Sequence, residues 1–507
     1  MPNAQPSRRG VILYLLLITV LSMAFANVRA TTLPMLQGPD EDTHLDYSLA
    51  IYSNGGLLRA AEAPSSGWHQ PHVAAYYDWE RISHIVTLHL TEAVDMHRIR
   101  VQESEKAPAG YGTPEFFERV DTTAPKAPAN VAVGPEDNPW IMKGAPYGYY
   151  ALVAAAMTVT GWFTDSVVAL FFAGRYTSIA LLGASIPLFY SILRLMGHGA
   201  RLSLLVTAGF AFFPLIQHTA AAIQPDNLGL FAVLLSTFTA LKIERSGTTF
   251  WKVSFAIAIG ILAVTKYQFA VASLPPLLLF LWSRKRLDVL ATILTMIPAV
   301  STFGLHLWSI WGAGAALRDD VPRTTSFLIS TGRAIWDYWI GGYSFQSFWS
   351  TSYAFRNIPI LARWFLSIVT VAAVLAMLLY AIQLAARSLR MWRSSSPRLA
   401  GQELSAQPLY LQLILFSIFM VMLYAYTDNG FYAQGRHWLP FVPAMLAFVV
   451  LRVPDYLPTR FRHYAQLGVT YALLIFCFVG NLHSMSGMEA RYYTQAPLPD
   501  LLRNSLF

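Results

Sequence analysis

The chain has 507 residues, 55% of them hydrophobic and only 13% charged, with a mean hydropathy of +0.43; that balance excludes a soluble enzyme and indicates many membrane crossings. A formal net charge of +8 would suit a nucleic-acid partner, but the Arg and Lys residues stand in short clusters between apolar tracts, which is a topology signal and excludes that partner. The single cysteine, Cys477, lies inside an apolar tract, so neither an intrachain disulfide nor a cysteine-based metal site is available.

Arg8 and Arg9 precede the first apolar run, 11–28. Ala24-Phe25-Ala26 resembles a signal-peptide cleavage site, yet an uncleaved first span is favoured. Further tracts follow at 168–193, 202–222, 228–241, 253–264, 269–282, 287–308, 361–385, 409–426, 438–451 and 464–482. They are continuous rather than alternating, so helices rather than a barrel satisfy the backbone in lipid. The expected fold is an all-α polytopic membrane protein of about eleven membrane helices, some of them short, forming a single domain over 1–507. With these crossings, Arg8/Arg9, Arg194/Arg201, Lys242/Arg245/Lys252, Arg284 to Arg286, Arg387/Arg390/Arg393/Arg398 and Arg452/Arg460/Arg462 all fall on one side. The positive-inside rule makes that side the cytoplasm.

The same test decides two ambiguous segments. Counting 147–163 as a span would throw the later basic clusters outside, so it is expected to be a helix at the outer interface. A single helix over 253–282 would do the same, so two short helices meeting near Lys266-Tyr267-Gln268 are expected. Each would be roughly 21 Å long, short of the ~30 Å hydrocarbon core, which places their junction at depth inside protein. The outer side then receives long extracytoplasmic loops at 30–165 and 309–360 and a short one at 427–437. In the first loop, Pro39 and the acids after it open a helix that Asn54-Gly55-Gly56 ends, with Asp40, His44 and Tyr47 on one face. Segments 82–90 and 98–102 alternate weakly, as a small β-hairpin would, and 108–139 is a proline-rich connector.

Candidate chemistry concentrates at the outer ends of the spans. Asp40-Glu41-Asp42 with His44 suits a general base aimed at a hydroxyl nucleophile, with His44 orienting a carboxylate or touching phosphate; helix capping worth about 0.3–1 kcal/mol is the plainer account. Asp226, after Pro225, opens a span and would cap it without chemistry. Lys266 at membrane depth must snorkel, pair or bind an anion. Arg436 and His437 stand at an outer mouth, where a guanidinium grips phosphate with two parallel donors and Trp438 suits an interfacial anchor equally well. The aromatic run from Trp336 to Tyr353 fits sugar or isoprenoid packing and an aromatic belt alike. The sequence carries no GxxxxGK[ST] loop, dinucleotide fingerprint or HExxH helix, which argues against ATP-driven transport and zinc proteolysis.

Taken in order, these motifs resemble the GT-C superfamily of polyprenyl-phosphate-sugar-dependent glycosyltransferases, such as protein O-mannosyltransferases and lipid A aminoarabinose transferases. The resemblance runs over most of the chain: Asp40-Glu41 and His44 after the first span, Lys143 to Tyr150, Gly174-Arg175-Tyr176, Pro225-Asp226, Thr265-Lys266-Tyr267, Ser347-Phe348-Trp349, and Gln434 to Pro440. Lys143-Gly144-Ala145-Pro146 replaces a His-Pro-Pro element common in such proteins, and the first loop is longer than usual, which leaves the acceptor open. The resemblance implies that Asp40 is the catalytic base, that Glu41 supports it or the sugar, that Asp226 is a second acidic position, and that Lys266 and Arg436 hold the donor phosphate, with His44 and His437 beside the substrate. It further implies an inverting transfer from a polyprenyl-phosphate-linked sugar to an extracytoplasmic lipopolysaccharide, surface polymer or protein, in a bacterial-type inner membrane with the N-terminus cytoplasmic. Some relatives use a divalent metal and others none; the sequence leaves that choice open. The rival is a transporter or flippase of a lipid-linked glycan, against which stand the absence of an internal repeat and the gathering of charge at outer ends; a third reading is an inactive scaffold.

Overall fold

The computed structural model describes residues 7–33, 35, 38, 41–53, 147–265, 360–394 and 435–488, with isolated positions at 115, 329, 331–333 and within 409–421. Helix α1 spans Arg8–Thr32 and begins at Ser7, whose hydroxyl accepts from the Gly10 amide at 3.1 Å. Its 25 residues reach about 37 Å, enough to cross a bilayer core of ~30 Å. Ile12, Leu13, Leu16, Leu17 and Val20 are exposed, whereas Ser22, Ala26 and Ala30 are buried. The first half of α1 is therefore a lipid-facing surface, and the second half is bound into the bundle. Among the described residues, four more helices contain spans long and apolar enough to cross: α4, Val167–Leu195; α7, Pro225–Ser246; α9, Ile360–Ser394; and α11, Thr459–Met488. Each coincides with an expected tract.

Shorter helices complete the described part: α2, Glu41–Ser53; α3, Gly148–Gly161; α5, Ala200–Ala211; α6, Pro214–Ala220; α8, Thr249–Ala263; and α10, Val442–Leu451. Helix α3 has 14 residues and ends at the strongly exposed Trp162 and Phe163. Its roughly 21 Å is shorter than the ~30 Å hydrocarbon core.

Two tracts depart from a single continuous helix. The 202–222 tract is the pair α5 and α6, bent by 55°. Pro214 cannot donate a backbone hydrogen bond and clashes with the preceding turn, so α5 must stop before it. The carbonyls this frees lie where no water can serve them, and side chains of the flanking helices take over. Ser22 Oγ of α1 donates to Ala211 O at 2.9 Å, Gln217 Nε2 donates to the same oxygen, and Asn481 Nδ2 of α11 donates to Phe212 O at 2.8 Å. The 438–451 tract is a 3₁₀ segment, Gly435–Phe441, running into α10. At about 2 Å per residue in the 3₁₀ part and 1.5 Å in the α part, these residues reach about 29 Å, where an unbroken α-helix would reach only about 25 Å.

Helices α4 and α7 form the centre, with α1, α3, α5 and α8 packed around them. Among the described residues, Arg194, Arg245, Arg452 and Arg462 gather at one end. Arg245 donates to Leu195 O, Arg194 donates to His198 O at 2.5 Å, and Asp455 pairs with Arg452 at 3.2 Å and Arg462 at 3.5 Å. Among the described residues there is no multi-residue strand. The expected hairpin at 82–90 and 98–102, the connector at 108–139, the helices at 269–282 and 287–308, and nearly all of the loop 309–360 lie outside the described residues.

Candidate functional site

The opposite end is organised by one buried ion pair. Arg175 sits within the first turns of α4, directly after Phe171-Phe172-Ala173-Gly174, and is fully buried. A guanidinium there must find a counter-charge, and it finds Glu41, the first residue of α2. Arg175 Nε donates to Glu41 Oε1 at 2.8 Å and Nη2 to Oε2 at 2.6 Å, a two-pronged contact. The remaining nitrogen, Nη1, donates to Leu33 O at 2.7 Å and to Ala30 O, closing the end of α1. The Phe171 ring lies 4.5 Å from the guanidinium carbon.

Glu41 is equally committed. Its Oε2 accepts from the Gly38 amide at 3.1 Å and its Oε1 from the Ile223 amide at 3.0 Å. Both oxygens thus hold one arginine donor and one backbone donor, which ties α1, the turn before α2, α4 and the segment entering α7 into one knot. Ile223 is three residues before Asp226, so Glu41 is tied to the backbone that leads into Asp226.

The first turn of α3 makes a second set of ties. The Tyr149 hydroxyl accepts from the Gln224 amide at 2.8 Å and lies 2.7 Å from Ser178 Oγ of α4. Burial raises the Tyr149 hydroxyl above the usual phenol range, so it stays protonated with a hydrogen to share. The Tyr150 hydroxyl lies 3.0 Å from His44 Nδ1 of α2, with the two rings 5.7 Å apart. The Gly148 amide donates to Val264 O at 2.7 Å, and a Cβ on Gly148 would lie 2.6 Å from that oxygen and from Val264 Cγ2. Only glycine admits this approach, and Val264 stands two positions before Lys266.

Asp226 is fully buried in the first turn of α7, where the helix dipole favours a carboxylate. Asn227 Nδ2 pins the turn before it by donating to Thr219 O at 2.9 Å and Gln224 O at 3.2 Å. Glu41 and Asp226 both act electrostatically on Tyr149. His437 is buried on the 3₁₀ segment, which packs against α6 and α7. Glu41, His44 and Asp226 are therefore brought to one end of the bundle, with the His437 segment on the helices that flank Asp226. Asp40, Lys266 and the side chain of Arg436 lie outside the described residues.

Arg175, Tyr149 and Tyr150 carry no assigned role in the sequence reading, although all three lie in its motifs. The usable signal for Arg175 was a lone guanidinium inside an apolar run, which demands a partner. Among the described residues, no three His, Cys, Asp or Glu side chains gather as a metal site. Glu41, with both oxygens bound to a guanidinium, does not suit a metal ion, and no metal step is derived from it.

No protein-family model matches the sequence, and no curated protein matches it. Among solved structures, the chain is similar to the archaeal oligosaccharyltransferase AglB from Archaeoglobus fulgidus in complex with an inhibitory peptide and a dolichol-phosphate, at 10% identity and a TM-score of 0.38. The match covers 94% of this chain and 55% of that one, so this chain spans about half the length of that protein.

Proposed function

We propose that the chain is an inverting glycosyltransferase, one membrane domain over 1–507, that moves a sugar from a polyprenyl-phosphate donor to a hydroxyl of an extracytoplasmic lipopolysaccharide, surface polymer or protein. The observation that carries this reading is the knot in which Arg175 and the Ile223 amide hold Glu41, because it sets the start of the acidic helix beside the turn that bears Asp226. A transfer of this kind needs one carboxylate to take the proton of the acceptor hydroxyl as it attacks the anomeric carbon, and cations to stabilise the departing phosphate. In this reading Asp40 is the base. Glu41, whose oxygens are both committed, is a positioning residue that fixes the backbone next to Asp40. His44, oriented by Tyr150, and Asp226 line the sugar and acceptor side, while Lys266, Arg436 and His437 face the phosphate. The basic clusters at the opposite end agree with a cytoplasmic N-terminus and an extracytoplasmic site in a bacterial-type inner membrane.

The test is Asp40→Asn, which preserves shape and removes the base. Membranes carrying it should lose transfer from a labelled polyprenyl-phosphate sugar by a factor of at least about 10². Transfer retained at the unaltered rate removes Asp40 as the base. Loss of glycan export without any transfer activity in the unaltered protein would favour a transporter.

A further inference from the structure

Helix α9 is longer than a crossing requires. Its 35 residues reach about 52 Å, while the apolar span within it, Leu366–Arg387, already covers the ~30 Å hydrocarbon core. Arg390 and Arg393 follow Arg387 at intervals of three, so the three arginines share one ridge that ends about 9 Å beyond the span along the axis. All three are exposed. A headgroup layer extends roughly 5–8 Å past the core on each side, so this ridge stands in it.

A second basic group adjoins the first. Among the described elements, α9 packs mainly on α10 and on the 3₁₀ turn Val453–Tyr456. Its Tyr380 ring lies 5.7 Å from Tyr410, 5.8 Å from Phe448 and 5.7 Å from the Arg452 guanidinium carbon. Arg387 acts electrostatically on Tyr456, and Arg460 and Arg462 follow in the first turn of α11. Within 385–394 and 452–464 six arginines face a single carboxylate, Asp455, which pairs with Arg452 at 3.2 Å and Arg462 at 3.5 Å. The positive end of the α11 dipole adds to the excess. Two like-charged helix ends therefore meet here, and an anion between them would relieve the repulsion.

The surroundings say which anion. Tyr456, Leu457, Phe461 and Tyr464 are exposed among these charges, with the Arg460 guanidinium carbon 4.6 Å from the centre of the Phe461 ring. Exposed rings interleaved with guanidinium groups at the ends of membrane helices suit a ligand that presents phosphate and acyl chain side by side, as a phospholipid does. A soluble acidic protein would leave those rings in water. We propose that the basic end of α9 and the start of α11 form a docking surface for anionic phospholipid headgroups, whose phosphates bridge the two helix ends. Guanidinium groups hold phosphate oxygens through paired donors, which a zwitterionic headgroup answers less well because its own ammonium competes. The surface lies at the opposite end of the bundle from the Glu41 knot and stands or falls independently of any transfer reaction.

The experiment places the full-length protein in nanodiscs of phosphatidylcholine, alone or with phosphatidylglycerol as a minor component, and follows thermal unfolding. Phosphatidylglycerol should raise the melting temperature and inorganic phosphate should not; the rise should shrink in ~1 M salt, where the screening length falls to about 3 Å. In detergent, the triple variant Arg387→Gln/Arg390→Gln/Arg393→Gln should bind phosphatidylglycerol at least about tenfold more weakly, whereas lysine at the same three positions should keep most of the binding. The proposal is overturned by equal melting temperatures in the two bilayers, by an equal rise with inorganic phosphate, by unaltered binding in the glutamine variant, or by a loss in the lysine variant as large as that in the glutamine one. Should the triple variants fail to fold, a photoreactive phosphatidylglycerol on the unaltered protein decides: labelling within 385–394 and 456–464 supports the surface, and labelling confined to other segments refutes it.

Discussion

Replacing Glu41 by Gln is the sharpest probe of the knot, since it changes one atom and no shape. Whichever oxygen becomes an NH₂ group loses two acceptor roles, because Oε1 serves Arg175 Nε and Ile223 N while Oε2 serves Arg175 Nη2 and Gly38 N. The new amide then faces two donors, and the Arg175 guanidinium stays fully buried without its counter-charge. Breaking a buried pair from one side costs about 3–5 kcal/mol, a large share of a folding stability of about 5–15 kcal/mol. Arg175→Met should cost a similar amount, since it strands the carboxylate and strips donors from the Ala30 and Leu33 carbonyls. The double variant Glu41→Leu/Arg175→Met removes both charges together and should cost far less than the sum. Detergent-denaturant titration in mixed micelles, followed by helicity, measures all of these together with Glu41→Leu. Single effects that simply add to within ~0.5 kcal/mol would refute the reasoning, and so would a Glu41→Gln cost below about 1 kcal/mol.

Three further outcomes are expected. Tyr149→Phe leaves the Gln224 amide without its acceptor and should cost about 1–3 kcal/mol; a cost near zero, read by the same titration, would mean that water replaces the hydroxyl. Gly148→Ala should destabilise by about 1–3 kcal/mol, because the new methyl meets the Val264 carbonyl at 2.6 Å, whereas Gly183→Ala meets the movable sulfur of Met23 and should cost less than about 1 kcal/mol; the reverse order would show that the α3–α8 contact is loose. His198, in the turn between α4 and α5, is pushed down to about 4 by burial and then by Arg452, with Asp455 opposing. The unfolded chain therefore takes up a proton first as pH falls, so stability holds above pH ~6.5 and is lost between ~6.5 and ~4, by up to about 3 kcal/mol; His198→Gln should flatten that part of the melting-temperature profile, and an unchanged profile would remove His198 as its cause.

Span positions were legible because length and hydropathy alone set them: the tracts at 11–28, 168–193 and 464–482 each sit inside an observed helix. Pro214 was visible too, but its effect was not. A proline in an apolar tract either kinks or breaks a helix, and the choice rests on partners distant in sequence, here Ser22 and Asn481, which accept the task of bonding the freed carbonyls. The 3₁₀ winding of Gly435–Phe441 was illegible for a related reason, since apolar periodicity over so few residues does not separate 3₁₀ from α. At the site, the motifs located Glu41, His44 and Asp226 at one end by counting crossings. Counting gives no contacts, so the ties through Tyr149, Tyr150 and the Ile223 amide had no sequence signature beyond residue type.

Acids at a helix start invite a choice between capping the helix and doing chemistry, and the bonds Glu41 makes go beyond those of a cap. Its side chain reaches back to the Gly38 amide, as a cap would, but the bonds that account for its burial run to Arg175 and Ile223. A capping carboxylate on an exposed helix tolerates replacement for about 1 kcal/mol. A carboxylate joining four chain segments does not, because each partner becomes an unsatisfied buried group when it goes. The same logic explains how an arginine can stand in an apolar run: α4 carries Arg175 to a point where the end of α1 offers carbonyls and the start of α2 offers a carboxylate that the Ile223 amide also holds. Rigidity at that point is what a single base next in sequence to Glu41 would need, since a displacement of about 1 Å is enough to cost a large factor in rate.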